Sequence, residues 1–243
     1  VFRGFIGGIL REERLLIGLK SQKYKNMKTL SSLMPIKDVI NCAYEEINCG
    51  DNERYEYEKI ITDCLSSATL QDKPLLIHLG GIPGAGKTTF YNNRNWPDHV
   101  LVHCDGIMEK LSAYQETLKL EGSKQAFRKF ENLARIVAYE LLDRAIYNKF
   151  NIIMDHGGLF TAHVDLLKNI KNKYQYQTEM HFILCDLKTA ISRVAARQKI
   201  TSRYTPKSII IERLKKVKQL LPQYQDIVDC FKLYCQDTTI LSE

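Results

Sequence analysis

The chain has 243 residues, 44% of them hydrophobic and 26% charged, with a net charge of +7 at pH 7. That length suits one large α/β domain or a domain with an appendage, and no apolar run approaches the ~20 residues that span a bilayer. Lys and Arg are spread along the chain, with one modest cluster at KSQKYKNMK (20–28), so the positive charge argues for a small polyanionic substrate over nucleic acid.

The start, VFRGFIGGIL, has neither a basic leader nor a small-residue cleavage site. No signal peptide is expected there, and Val1 reads as a trimmed end. Residues 1–72 read as a helical region in three pieces: REERLLIGLKSQKYKNMKTLSSLM, IKDVINCAYEEIN after Pro35, and RYEYEKIITDCLSSATL after CGDNE. In the second piece Ile36, Val39, Ile40, Ala43 and Ile47 recur at three-to-four spacing, as one buried helix face requires.

From residue 73 short apolar runs alternate with longer helical patterns, the rhythm of a parallel sheet. PLLIHL (74–79), HVLVHCD (99–105), FNIIMD (150–155), TEMHFILCD (178–186) and CFKLYCQD (230–237) read as five strands. Between them, KQAFRKFENLARIVAYELLDRAIYNK puts Phe127, Phe130, Ala134, Val137, Leu141 and Ala145 on one helical face. HVDLLKNIKNK, KTAISRVAARQ and TPKSIIIERLKKVKQLL supply further helices, the last opened by Thr205 and Pro206. Several strands end in aspartate, which puts carboxylates at the edge where open α/β sheets bind ligands.

Seven cysteines, an odd number without CxxC or zinc spacing, fit reduced thiols in a cytoplasmic protein or in an effector delivered into a host cell. No metal site is expected on the six histidines.

The chemistry centres on Gly81-Ile82-Pro83-Gly84-Ala85-Gly86-Lys87-Thr88, a full match to the phosphate-loop pattern G-x4-G-K-[ST], with Thr89 following. Glycines let the backbone curl so that its N–H groups face phosphate oxygens; the lysine reaches the β/γ-phosphates and the hydroxyl of Thr88 ligates magnesium. The motif follows a strand and opens a helix, the context that gives it meaning. The fold expected is therefore a P-loop NTPase, a three-layer αβα sandwich on about five parallel strands over residues 73–243, with 1–72 as an N-terminal helical extension. No N/T-K-x-D guanine-reading segment occurs, which leaves the small-substrate kinases as the best class. Asp105 is the candidate base for an attacking hydroxyl, and it is also placed to cap the next helix. Asp155, before His156-Gly157-Gly158, is the candidate magnesium-orienting carboxylate, with His156 beside the acceptor. Arg193 and Arg197, four apart, and Arg203 in the following loop form a candidate lid over the nucleotide phosphates.

Together GIPGAGKTT, VHCDGIMEKL, FNIIMDHGG and RVAARQ…TSRYTPKSIIIERLKKV resemble the zeta-toxin family of P-loop kinases, related in fold to chloramphenicol phosphotransferase, over residues 73–237. The resemblance implies ATP-dependent phosphorylation of the 3′-hydroxyl of the sugar in UDP-N-acetylglucosamine. It implies Lys87 and Thr88 for ATP and Mg2+, Asp105 as base, and Arg197 and Arg203 on the phosphates. It also implies a protein antitoxin as a partner, docking on an N-terminal face. The family's usual E-G-T after the third strand is replaced here by Asp155-His156-Gly157. The family's acidic substrate contact on the preceding helix finds only Glu140, offset by about one residue. The acceptor half thus departs from the pattern. A nucleotide, a dinucleotide cofactor or a polynucleotide end is the alternative acceptor, and an inactive nucleotide-binding module engaging a protein partner is the rival reading.

Overall fold

A computed structural model describes residues 50–201, 203–235 and 238–241. The first two helical pieces expected from the sequence lie outside the described residues. The third is α1 (Asp51–Leu65), entered at Gly50, whose N–H donates to Glu53 Oε2 at 2.7 Å.

There follow β1 (Leu75–Gly80), α2 (Lys87–Asn92), β2 (Val100–His103), α3 (Cys104–Lys110), α4 (Ser112–Glu121) and α5 (Ser123–Tyr147). The second half holds β3 (Ile152–Gly157), α6 (Thr161–Tyr174), β4 (Gln177–Leu184), α7 (Leu187–Thr201), α8 (Lys207–Ile227), β5 (Cys230–Cys235) and β6 (Thr238–Leu241). The sheet order is β2-β3-β1-β4-β5-β6. The first five strands run parallel, as expected, and β6 adds an antiparallel edge strand that the sequence reading lacks.

β1 lies between β3 and β4, so the chain leaves it at the point where the strand order reverses. That switch point is where open α/β sheets bind ligands. Register sharpens the placement: Asp155 pairs with Leu79 on one side and with His103 on the other. An irregularity after Leu79 then sets Gly80 against Gly157.

The main core lies on one face of the sheet, around α5. Ala134, Val137, Leu141 and Ala145 of the expected stripe are buried, and Phe127 and Phe130 pack against the core from its edge. A smaller cluster of Ile77, Leu79 and Ile153, with Phe90, Tyr91 and Trp96 against it, occupies the other face. Leu141 is fully enclosed, so Leu141→Ala is expected to cost about 2–5 kcal/mol through lost burial and an unfilled cavity. Urea unfolding checks this; a midpoint equal to wild type's would contradict the packing described.

The boundary drawn at residue 72 does not separate α1 from the sheet. Tyr57, Ile60 and Ile61 belong to the main core. Arg144 of α5 donates to both oxygens of Glu58, at 2.8 and 2.6 Å. An amphipathic helix this short has to bury its apolar stripe against something, and α5 is what it found. No helix among the described residues is long and apolar enough to cross a membrane. Among them Cys64, Cys104, Cys185, Cys230 and Cys235 are free thiols.

Candidate active site

The loop after β1 has the conformation its glycines permit. Gly81 has φ +139°, and a Cβ there would stand 2.7 Å from the Ile183 carbonyl oxygen of β4. Gly84 has φ +85°, and a Cβ there would collide with the Ala190 carbonyl of α7. The loop thus lies backbone to backbone against β4 and the helix that carries Arg193 and Arg197, an approach only glycine allows. Lys87 opens α2 and curls over the loop, its ammonium donating to the carbonyl oxygens of Gly81 at 3.1 Å and Ile82 at 3.5 Å. Burial lowers the Lys87 pKa; Asp155 pulls it back up, while Arg213, Arg197 and Arg203 lower it further. A lysine so crowded by cations is set to gain from an anion.

One cavity of about 340 Å³ opens at this sheet edge. Its wall includes Pro83, Gly84 and Gly86–Thr89 of the loop, Asp105, Asp155, His156, and Arg193, Arg197 and Arg203. Every catalytic, lid and magnesium candidate read from the sequence therefore meets in one place. Asp105 lies in the first turn of α3 rather than on the strand, because β2 ends at His103. Asp155 lies within β3, and its side chain is 9% exposed.

Arg203 forms an ion pair with Asp105 Oδ2, and its Nη2 also donates to His103 Nε2 at 3.2 Å. A guanidinium only donates, so His103 Nε2 accepts and the ring is neutral. Burial lowers the His103 pKa, ahead of an opposing pull from Asp155. The approaches of His103 Nε2 to Asp155 at 3.8 Å and Asp105 at 4.0 Å are therefore contacts of a neutral ring, not ion pairs. Burial also pushes the Arg203 guanidinium down to about 10, still charged at neutral pH. Arg197 Nη2 donates to Thr205 Oγ1 at 2.9 Å, and the Nε atoms of Arg197 and Arg203 are buried without a hydrogen-bond partner. Both arginines line the cavity, and their guanidinium groups suit an anionic ligand there. Arg193 is more exposed, its Nη1 3.9 Å from Cys185 Sγ.

Glu140 is not brought to the cavity. It is buried on α5, its Oε1 accepting from Arg144 Nη2 at 2.6 Å, and that arginine also holds Glu58 of α1. The charge is spent on fastening α1. The carboxylate of α5 that does line the cavity is Glu131, about two and a half helical turns earlier and so on the opposite face, paired with Arg135.

His156 is in the wall, but its ring is committed inward. Nε2 receives Arg135 Nη1 at 2.9 Å, and Nδ1 lies 2.8 Å from His163 Nε2 and 3.1 Å from the Tyr139 hydroxyl. Because Arg135 must donate, His156 is neutral with its proton on Nδ1. Burial, followed by the charge of its neighbours, holds its pKa well below the ordinary value. Burial also pushes the neighbouring His78 imidazole down to about 3.

Glu131, Arg135, Arg213 and His103 line the cavity without having been singled out in the sequence. A signal for three of them existed. Glu131 and Arg135 continue the four-residue steps from Phe127, and Arg213 lies between Ile209 and Val217 at the same spacing. Charged residues inside an apolar stripe are either paired or functional.

The sequence profile of the Zeta toxin family matches residues 59–231, well over half of the chain. No curated protein sequence matches it. Among solved structures, one from the PezAT chromosomal toxin-antitoxin system of the human pathogen Streptococcus pneumoniae is 18% identical with TM-score 0.64, over 79% of this chain and 81% of that one. The native AvrRxo1-ORF1:-ORF2 complex gives 13% identity and TM-score 0.55, over 86% and 72%. The AvrRxo1-ORF1:-ORF2 structure with ATP gives 13% and 0.53, over 79% and 67%. At these identities the structural likeness is one of fold. With the phosphate loop, the switch-point cavity and the family profile all falling on the same residues, the chain belongs to the zeta toxin family and is a P-loop phosphotransferase.

Proposed function

We propose that this protein transfers the γ-phosphoryl group of ATP to a hydroxyl of a nucleotide sugar such as UDP-N-acetylglucosamine, acting as a toxin or effector. The observation that carries the reading is the cavity's charge. Six cationic side chains (Lys87, Arg135, Arg193, Arg197, Arg203 and Arg213) share it with three carboxylates, Asp105, Glu131 and Asp155. That excess exceeds what one neutral acceptor needs, and it suits a nucleoside triphosphate beside an acceptor with phosphates of its own.

In this mechanism the loop N–H groups and Lys87 hold the donor phosphates. Thr88 and Asp155 are oxygen donors in one cavity and suit magnesium, which keeps several waters and takes one or two protein oxygens. The ion, when bound, supplies charge neutralisation on the phosphates. Asp105 accepts the proton of the attacking hydroxyl as its oxygen bonds to the γ-phosphorus, and the bond to the β–γ bridging oxygen breaks to release ADP. Arg203 and Arg197 stabilise the charge on the transferring group. The ion pair on Asp105 Oδ2 leaves Oδ1 as the accepting atom in this scheme. A protein antitoxin is the regulatory partner that membership of the family supports.

Single-turnover transfer from labelled ATP into nucleotide sugars, nucleotides and dinucleotides tests the reading. Wild type is expected to label a nucleotide sugar, and Asp105→Asn to lose about 10²–10⁴-fold in rate. ATP binding with no labelled product above the Asp105→Asn level would leave only a nucleotide-binding module. Labelling of a nucleotide or dinucleotide alone would move the acceptor class.

A further inference from the structure

The end of β2 brings an imidazole to the place where several charges of the cavity meet. His103 is the last residue of β2, and Cys104 and Asp105 open α3 directly after it. Across the parallel ladder it pairs with Asp155 of β3. Its side chain lines the cavity and is 19% exposed. Three charged groups converge on its Nε2: Arg203 Nη2 at 3.2 Å, Asp155 Oδ2 at 3.8 Å and Asp105 Oδ2 at 4.0 Å. We propose that His103 is a positioning residue for phosphoryl transfer, whose imidazole accepts one N–H of Arg203 Nη2 and so sets how that guanidinium meets Asp105 and the transferring group. The inference rests on the phosphoryl-transfer reading above and adds to it a residue that acts through Arg203.

Three observations support it. The first is the count of donors and acceptors. Nη2 carries two N–H groups and has two partners, Asp105 Oδ2 and His103 Nε2. Asp105 by itself would leave the guanidinium to swing about one contact. A second acceptor fixes the plane of its fork.

The second is what this leaves over. With Nη2 taken up, Nη1 keeps its N–H groups for a phosphoryl oxygen, because Glu109 Oε1, at 3.8 Å, lies beyond hydrogen-bond distance. Arg203 therefore keeps its hold on the base while it meets the group in transfer. The third is the seat of the ring. A Cβ on Gly106, in the first turn of α3, would stand 3.0 Å from His103 Nδ1 and 3.6 Å from its Cγ. The imidazole thus packs against bare backbone, and the turn from β2 into α3 sets its position. Since Nε2 accepts and the ring is neutral, the proton is on Nδ1.

The experiment is a double-mutant cycle on the full chain. It reads single-turnover transfer from labelled ATP to UDP-N-acetylglucosamine, or to whichever acceptor of the panel above wild type labels. His103→Phe keeps a ring and removes the acceptor; it is expected to lower the rate at saturating ATP about 10–100-fold, with the half-saturating ATP concentration moved less than about threefold. His103→Gln, whose amide oxygen accepts, should restore most of the rate. In an Arg203→Ala background, His103→Phe should cost less than about twofold more, because the group it positions is gone. Rates are referred to the folded fraction from a melting curve. Losses that multiply in full, equal failure of Gln and Phe, or equal losses in rate and ATP affinity would each overturn the assignment.

A second arm needs no acceptor. With isotopically labelled histidine nitrogens, the His103 signals are those missing from His103→Gln. At neutral pH they should report a proton on Nδ1 and none on Nε2, and they should shift in Arg203→Ala. A proton on Nε2, or signals that do not move, would remove the bond on which the proposal stands. A wild type that labels no acceptor would end the transfer reading and the part of His103 in turnover, while the nitrogen signals still decide whether the bond to Arg203 exists.

Discussion

Arg203→Ala is expected to lower the turnover of phosphoryl transfer about a thousandfold while shifting the Michaelis constant for ATP by less than about threefold. The asymmetry follows from where the side chain sits. Arg203 holds Asp105 and His103 in the cavity wall, while the phosphate loop supplies its own N–H groups and Lys87. Its Nε is buried without a partner. A guanidinium kept charged in a partly dry site acts most strongly where charge develops, on the transferring phosphoryl group, and less on the ground-state triphosphate. Arg203→Lys should recover only a part, because an ammonium lacks the planar fork that reaches two acceptors at once. Steady-state kinetics over a range of ATP concentrations checks this. Equal losses in turnover and ATP affinity would mean that Arg203 is a binding residue.

Lys87→Ala is expected to abolish the stabilisation that ATP and magnesium give to thermal unfolding. A ligand at about a hundred times its Kd adds about 2.7 kcal/mol to a native state that alone binds it, worth about 5–10 °C of melting temperature for a chain this size. Lys87 is the cation that folds directly over the loop, bonded to the carbonyls of Gly81 and Ile82. Burial lowers its pKa, and three arginines add to that against the pull of Asp155, so loss of its charge also removes the cost of a buried cation. The variant should then melt at or slightly above wild type without ligand and show no shift with it. A preserved shift would remove the loop as the phosphate cradle.

The sheet was legible because each strand is short and apolar and each helix keeps one apolar stripe, and both periodicities are local. The stripe through Ala134, Val137, Leu141 and Ala145 needed no tertiary information. Glu140 shows the opposite case. Its neighbourhood on α5 matched an expected substrate contact to within a residue, but a helix turns 100° per residue, and that offset directs the carboxylate to Arg144 and α1. Glu131 took the cavity wall instead, a choice of helix rotation and packing that spacing alone does not reveal.

His156 makes the same point in chemistry. Read along the chain it lies beside the acceptor, between an aspartate and two glycines. In space its two nitrogens are taken up by Arg135 and Tyr139 of α5 and His163 of α6.

The sequence by itself determined the phosphate loop, its strand-to-helix context, the parallel order of alternation and the two aspartates at the carboxyl edge, because each is specified by residues next to one another. Only the tertiary structure decided which charges share the cavity, that Arg203 is paired with Asp105, that α1 belongs to the core, and that Arg135 and Arg213 line the same wall. Those outcomes depend on how α5, α7 and α8 rotate and pack against one sheet, and a charge is worth most when the burial that surrounds it comes from segments far away in the chain.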